Sequence, residues 1–159
     1  MHNWLIITLT LIAALMLAML PMPHWASWLR PAWVLMVLIY WAMTMPMYVG
    51  VIAAWLTGLV VDLLNGTLLG EHALAYTVVI YLVTRIYIRL NMYPLLQQGF
   101  CIFFFVLLYQ FVLYCVQGFI GELPGNHLYW LSSVTSMLLW PWLFVVMRDC
   151  RRWFSVGKA

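Results

Sequence analysis

The stretch Gly58-Leu-Val-Val-Asp62-Leu-Leu-Asn-Gly66-Thr-Leu-Leu-Gly70-Glu71-His72-Ala-Leu74 decides how the chain is read. It runs apolar into one carboxylate, turns at Asn65-Gly66, and restarts behind Gly70 with an acid and a histidine. Asp62 is the only acidic residue in the first seventy. A carboxylate in so apolar a setting is costly unless it is paired, so it marks a site.

The rest of the chain makes that setting a membrane. Hydrophobic residues are 67% of 159, charged residues 7%, and the mean hydropathy is +1.02. A soluble domain carries about 25% charged residues. Eleven charges do not cover a water-facing surface, so the fold class is an all-α polytopic membrane protein, read as one domain. The net charge of +3 then reports topology rather than nucleic-acid binding. Cys101, Cys115 and Cys150 form no CxxC pair and suggest neither a disulfide framework nor a metal site. The chain has no phosphate-binding Gly-rich loop with Lys and no nucleophile motif, and it has four acids in all. No enzyme activity and no cofactor are expected.

A helical span takes about 20 apolar residues. Spans are expected over about 4–20, 31–45, 47–64, 70–88, 95–120 and 128–147, six in total. The first lacks a basic start and a cleavage site, so it reads as retained rather than as a signal peptide. Pro46 divides the long apolar run after Pro31, because proline lacks an N–H and clashes with the preceding turn. The expectation is a tight hairpin of two short helices, with one kinked span as the alternative. Asn65-Gly66 closes the third helix, since both residues tolerate the left-handed conformation.

Six spans put both termini on one side. If that side is the cytoplasm, Arg85, Arg89, Arg148, Arg151, Arg152 and Lys158 are inside and only Arg30 is outside. This follows the positive-inside rule, and five spans would break it. The tryptophans fall near the two interfaces, as in aromatic belts.

If the chain turns back at Pro46, Arg30 and Asp62 lie at one depth on adjacent helices. Each opposes its own helix dipole there. The expectation is an ion pair between them, direct or through water, closing the outer rim; the alternative is that both point separately into head groups. Glu71 is favourable in a first turn, and His72 makes a second polar candidate beside it. Gln110, Tyr114 and Gln117 recur at helical spacing, as do Ser133, Ser136 and Trp140, and both stripes should face the bundle interior. Gly50, Gly58 and the Ala14/Ala18 pair permit close helix approach, and Pro46, Gly66 and Gly70 punctuate the turns. Arg85 and Arg89, one turn apart, read as topology or as a cytoplasmic docking point.

Taken together, Arg30-Pro-Ala-Trp33, Leu38-Ile-Tyr-Trp41, Pro46, Gly50, Trp55, Gly58-Leu59, Asp62, Gly66, Leu69-Gly70, His72-Ala-Leu74, the Arg85/Arg89 helix end and Gln97-Gln98 resemble the rod shape-determining MreD family. The resemblance covers essentially the whole chain; the last two spans match mainly in hydropathy. It implies a non-enzymatic inner-membrane scaffold of the bacterial cell-elongation machinery, which builds peptidoglycan. The implied partner is MreC, a single-span protein with a periplasmic coiled coil. Through it the family links MreB filaments to the polymerase RodA and its penicillin-binding partner. The family is also thought to share a fold with the S components of energy-coupling-factor vitamin transporters. A partner would dock on the helix of Gly50 and Gly58 or on that of Ala14 and Ala18. The competing expectation is a substrate-binding transporter subunit, with Asp62 and the fifth-span glutamines as its pocket.

Overall fold

The computed structural model describes residues 2–156, so Lys158 of the basic C-terminal group lies outside the described residues. Six α-helices follow in order: α1 His2–Met19, α2 Trp33–Thr44, α3 Val51–Asn65, α4 Glu71–Met92, α5 Leu95–Ile120 and α6 Leu131–Val156. Short 3-10 helices, His24–Leu29 and His127–Trp130, lead into α2 and α6. Four segments are long and apolar enough to cross a membrane: His24–Thr44, Glu71–Met92, Leu95–Ile120 and His127–Phe154. Helices α1 and α3 are apolar but shorter.

The helix ends follow local chemistry. Pro21 and Pro23 lie just past α1, and Pro94 precedes α5. Gly66, at φ 66°, ends α3, and the N–H groups of Gly66 and Thr67 both donate to the Asp62 carbonyl. Pro141 does not break α6. It withholds one N–H from the carbonyl of Met137, and the bare Cα of Gly99 on α5 packs beside that oxygen.

Helix α2 is the axis of the bundle. Val34 to Met43 are buried on every side, as suits a helix that is apolar all round. It packs on α1, α4 and α6, while α4, α5 and α6 pack in sequence beside it. Helix α3 lies along α4 and makes little contact with α2. This corrects the expected hairpin. The chain does turn tightly at Pro46–Gly50, but the two helices it joins are not packed neighbours, because α3 takes its partner from the next helix in sequence. The bounds shift as well: α3 starts at Val51, α4 runs past Arg85 and Arg89 to Met92, and α6 continues past Met147 to Val156.

The polar cluster at the joint of α3 and α4

Gly58 decides how closely the two helices meet. A Cβ built on it would lie 2.3 Å from the Cα of Ala73 and 2.5 Å from its nitrogen. Only glycine lets α3 touch the backbone of α4 in this way. One turn further along the same face of α3 comes Asp62, which this contact carries to the start of α4.

Asp62 is 0% exposed and accepts four hydrogen bonds. Oδ1 receives the Thr67 hydroxyl at 3.0 Å, the His72 backbone N–H at 3.0 Å and the His72 ring at 2.7 Å. Oδ2 receives the backbone N–H of Gly70 at 2.9 Å. Gly70, the residue before α4, has no side chain with which to cap the helix, so a carboxylate from α3 serves instead. An acceptor surrounded by donors fixes the imidazole tautomer: Nδ1 carries the hydrogen, and Nε2 is left without a hydrogen bond to the protein. His72 packs edge-on against Tyr76, which stacks on Tyr109 of α5 with ring centres 5.5 Å apart.

Arg30 does not reach Asp62. Its Nη2 donates to the Leu20 carbonyl, and the ion pairs among the described residues are Asp62–His72 and Arg148–Asp149. The expected direct pair fails for the same reason as the hairpin, since it requires α2 and α3 to lie side by side. The Arg30 segment is held by α6: Ser132 donates to the Arg30 carbonyl at 2.6 Å, and the Ala32 N–H donates to Ser136 at 3.1 Å. Two cavities meet around Arg30, His72, Tyr109 and Ser132, one of about 200 Å3 toward α1 and α3 and one of about 330 Å3 toward Gln110 and Tyr129.

Glu71, also buried, accepts a hydrogen bond from Gln117 at 2.7 Å. Gln110 is 3% exposed and donates to the Tyr129 carbonyl, leaving its Oε1 without a partner. Tyr114 departs from the expected inward stripe: it is exposed, against Trp130. Ser133, Ser136 and Trp140 are buried. Gly50 sits in open surroundings with only the Pro46 carbonyl nearby, and Gly70, at φ 101°, makes the turn into α4. Arg85 and Arg89 are exposed near the far end of α4, where Arg85 lies over the Tyr81 ring. Among the described residues no three His, Cys, Asp or Glu side chains gather to hold a metal.

Sequence reasoning missed a second polar knot at that far end. Gln98 donates to the carbonyls of Leu90 and Tyr93 at 2.9 and 3.2 Å and accepts from the indole of Trp140 at 3.3 Å. Asn91 donates to the Met43 carbonyl at 2.9 Å, satisfying the end of α2. The available signal was a pair of amides flanking Pro94 in an apolar chain.

A family model for the rod shape-determining protein MreD matches residues 1–150. The chain belongs to the MreD family. The rod shape-determining protein MreD of Haemophilus influenzae (strain Rd) is 32% identical over 153 residues, which cover 94% of this chain and 93% of the relative. No solved structure matches. This MreD-family chain is therefore a membrane protein with a role in determining rod shape, and its family is not a known enzyme family.

Proposed function

We propose that the chain is a non-enzymatic scaffold of the cell-elongation complex in the bacterial inner membrane. All six helices cross, with both termini cytoplasmic. The chain binds an MreC-like single-span partner and through it acts with MreB filaments, RodA and its penicillin-binding partner. Helix α2 is only 12 residues long, but it is wrapped by other helices and need not match the bilayer alone.

The observation that carries this reading is where the large apolar side chains lie. Leu9, Ile12 and Met16 on α1, and Ile52, Leu56 and Leu63 on α3, are exposed in a body whose loops are short. Recognition by such a body is helix against helix in lipid, where close packing rather than hydrophobicity drives association. The docking surface differs from the one expected at the sequence level. Ala14 is buried and Gly58 is spent on α4, so the outward faces of the same helices are what a partner meets. Arg85 and Arg89 offer a basic rim to cytoplasmic partners.

The test is purification of the tagged chain from native membranes in mild detergent, with bound proteins identified by mass spectrometry. A stoichiometric single-span coiled-coil partner is expected. Recovery of an ATPase pair instead would overturn the scaffold reading in favour of a transporter subunit.

A further inference from the structure

We propose that the cleft between α1 and α3 binds one lipid, its phosphate head on Arg30 and one of its acyl chains between the two helices. The head group is of the kind that also carries a hydroxyl donor.

The argument begins with a charge that has no counter-ion. Arg30 is the only Lys or Arg before Arg85, and it is partly buried in an apolar bundle. A guanidinium has five N–H donors, and Arg30 uses one, on the Leu20 carbonyl; its Nε is buried without a partner. Neither nearby carboxylate pairs with it: Asp62 is taken by Thr67, Gly70 and His72, and Glu71, which accepts from Gln117, borders neither cavity that Arg30 borders. A cation at the rim of a membrane bundle, partly buried among apolar side chains, is costly unless it pairs or meets water. Arg30 is also the only Arg, Lys, Asp or Glu bordering either cavity, so their combined lining carries one positive formal charge.

The shape of the space selects a lipid over a soluble anion. Helices α1 and α3 do not pack along each other. They come together at one end, where Trp4 meets Tyr48 in the turn before α3 with ring centres 5.5 Å apart. At the other end the cavity of about 200 Å3 separates them, walled by Leu15 and Ala18 of α1 and Val61 of α3. Met19 and Leu64, both exposed, flank its opening. The apolar walls lead to Arg30, His72 and Ser132, and beyond these the second cavity reaches Gln110. The unpartnered Oε1 of Gln110 is an acceptor, which a hydroxyl on the head group would satisfy. The combination of apolar slot, cation and orphan acceptor fits a hydroxyl-bearing phospholipid. It does not depend on which protein partner the scaffold takes.

The experiment uses the full chain, delipidated in detergent, with phosphatidylglycerol, phosphatidylcholine and glycerol 3-phosphate as probes. Binding is read by native mass spectrometry and by the shift in melting midpoint. One phosphatidylglycerol per chain should bind saturably, about tenfold more tightly than phosphatidylcholine, which has neither a net negative charge nor a hydroxyl donor. Arg30→Gln should weaken it by about tenfold or more, the minimum for losing a charge-assisted hydrogen bond. Ala18→Phe fills the slot without touching a polar contact and should abolish binding, so the test stands even if Arg30→Gln fails to fold. Equal binding of the two lipids, insensitive to Ala18→Phe, would reduce the lipids to a nonspecific shell and overturn the proposal. An equal shift from glycerol 3-phosphate alone would make the site one for a soluble phosphate and overturn the lipid assignment.

Discussion

Replacing Gly58 by alanine adds one methyl group at the point where the structure has no room for it. The new carbon would lie 2.3 Å from the Ala73 Cα, 2.5 Å from the Ala73 nitrogen and 2.9 Å from the His72 carbonyl carbon. Ordinary carbon contacts are about 3.5–4.0 Å. All three neighbours are backbone, so no side chain can rotate aside, and α3 must retreat by roughly 1 Å to reach ordinary contact. Asp62 rides on the same face, so its bonds of 2.7–3.0 Å to His72, Thr67 and Gly70 would stretch to near the limit of hydrogen bonding or past it. Overpacking costs about 1–3 kcal/mol, and a lost helix cap about 0.5–2 kcal/mol. A total of about 2–4 kcal/mol corresponds to a fall of roughly 5–15 °C in melting midpoint for a chain of this size. Gly50→Ala is the control: the nearest atom is the Pro46 carbonyl oxygen at 3.9 Å, so nothing is overpacked and only the N-cap preference of α3 for glycine is lost, about 1 kcal/mol or less. The assay is thermal unfolding of the purified protein, followed by tryptophan fluorescence. Because both changes act on one joint, Gly58→Ala and Asp62→Asn together should cost less than the sum of the two alone. A Gly58→Ala protein that melts with the wild type, or strict additivity in the double mutant, would refute the close crossing of α3 and α4.

Two further substitutions test the polar joints. Asp62→Asn keeps the volume but turns an NH2 toward at least one of the donors now met by Oδ1 and Oδ2, stranding it; a loss of about 1–3 kcal/mol is expected in the same melting assay, and an unchanged midpoint would remove Asp62 as the cap of α4. Gln98→Leu leaves the Leu90 and Tyr93 carbonyls without their side-chain donor and the Trp140 indole without its acceptor, with a similar expected loss. On that background Trp140→Phe should cost less than it does in the wild type, and an equal cost would show that the Gln98–Trp140 bond contributes nothing.

The helical class and the rough helix positions were legible because they depend on local facts: apolar length, the breaks at Pro46 and Pro94, and the left-handed residue at Gly66. Asp62 and His72 were legible as a polar locus because charges are rare in this chain. What they bond to was not. A sequence shows that two helices are joined by a short turn, and proximity along the chain then suggests that they pack. Here α3 bypasses α2 for α4, and the determinant is one missing methyl group at Gly58. The same glycine was read as a surface for a foreign helix, since small-residue spacing does not distinguish an internal partner from an external one. Gln98 and Asn91 escaped because each answers a backbone carbonyl at a helix end, and which carbonyls need a side-chain donor depends on the tertiary arrangement.

Asp62 and Arg30 looked alike in the sequence, since each was a charge opposing the dipole of its own helix. The structure separates them. Asp62 stands at the C-terminal end of α3 but also at the N-terminal end of α4, where backbone N–H groups point at it directly. The dipole of the second helix favours what that of the first opposes, each by about 0.3–1 kcal/mol, and the direct hydrogen bonds tip the balance. Arg30 has no such second helix. It follows one 3-10 turn and precedes α2, whose N-terminus repels a cation. The Leu20 carbonyl meets its guanidinium, and Ser132 and Ser136 of α6 hold the backbone at Arg30 and Ala32, all without neutralising the charge. A bundle with so few charges has one that its own fold resolves and one that it leaves open toward a cleft, and the open charge is where a phosphate belongs.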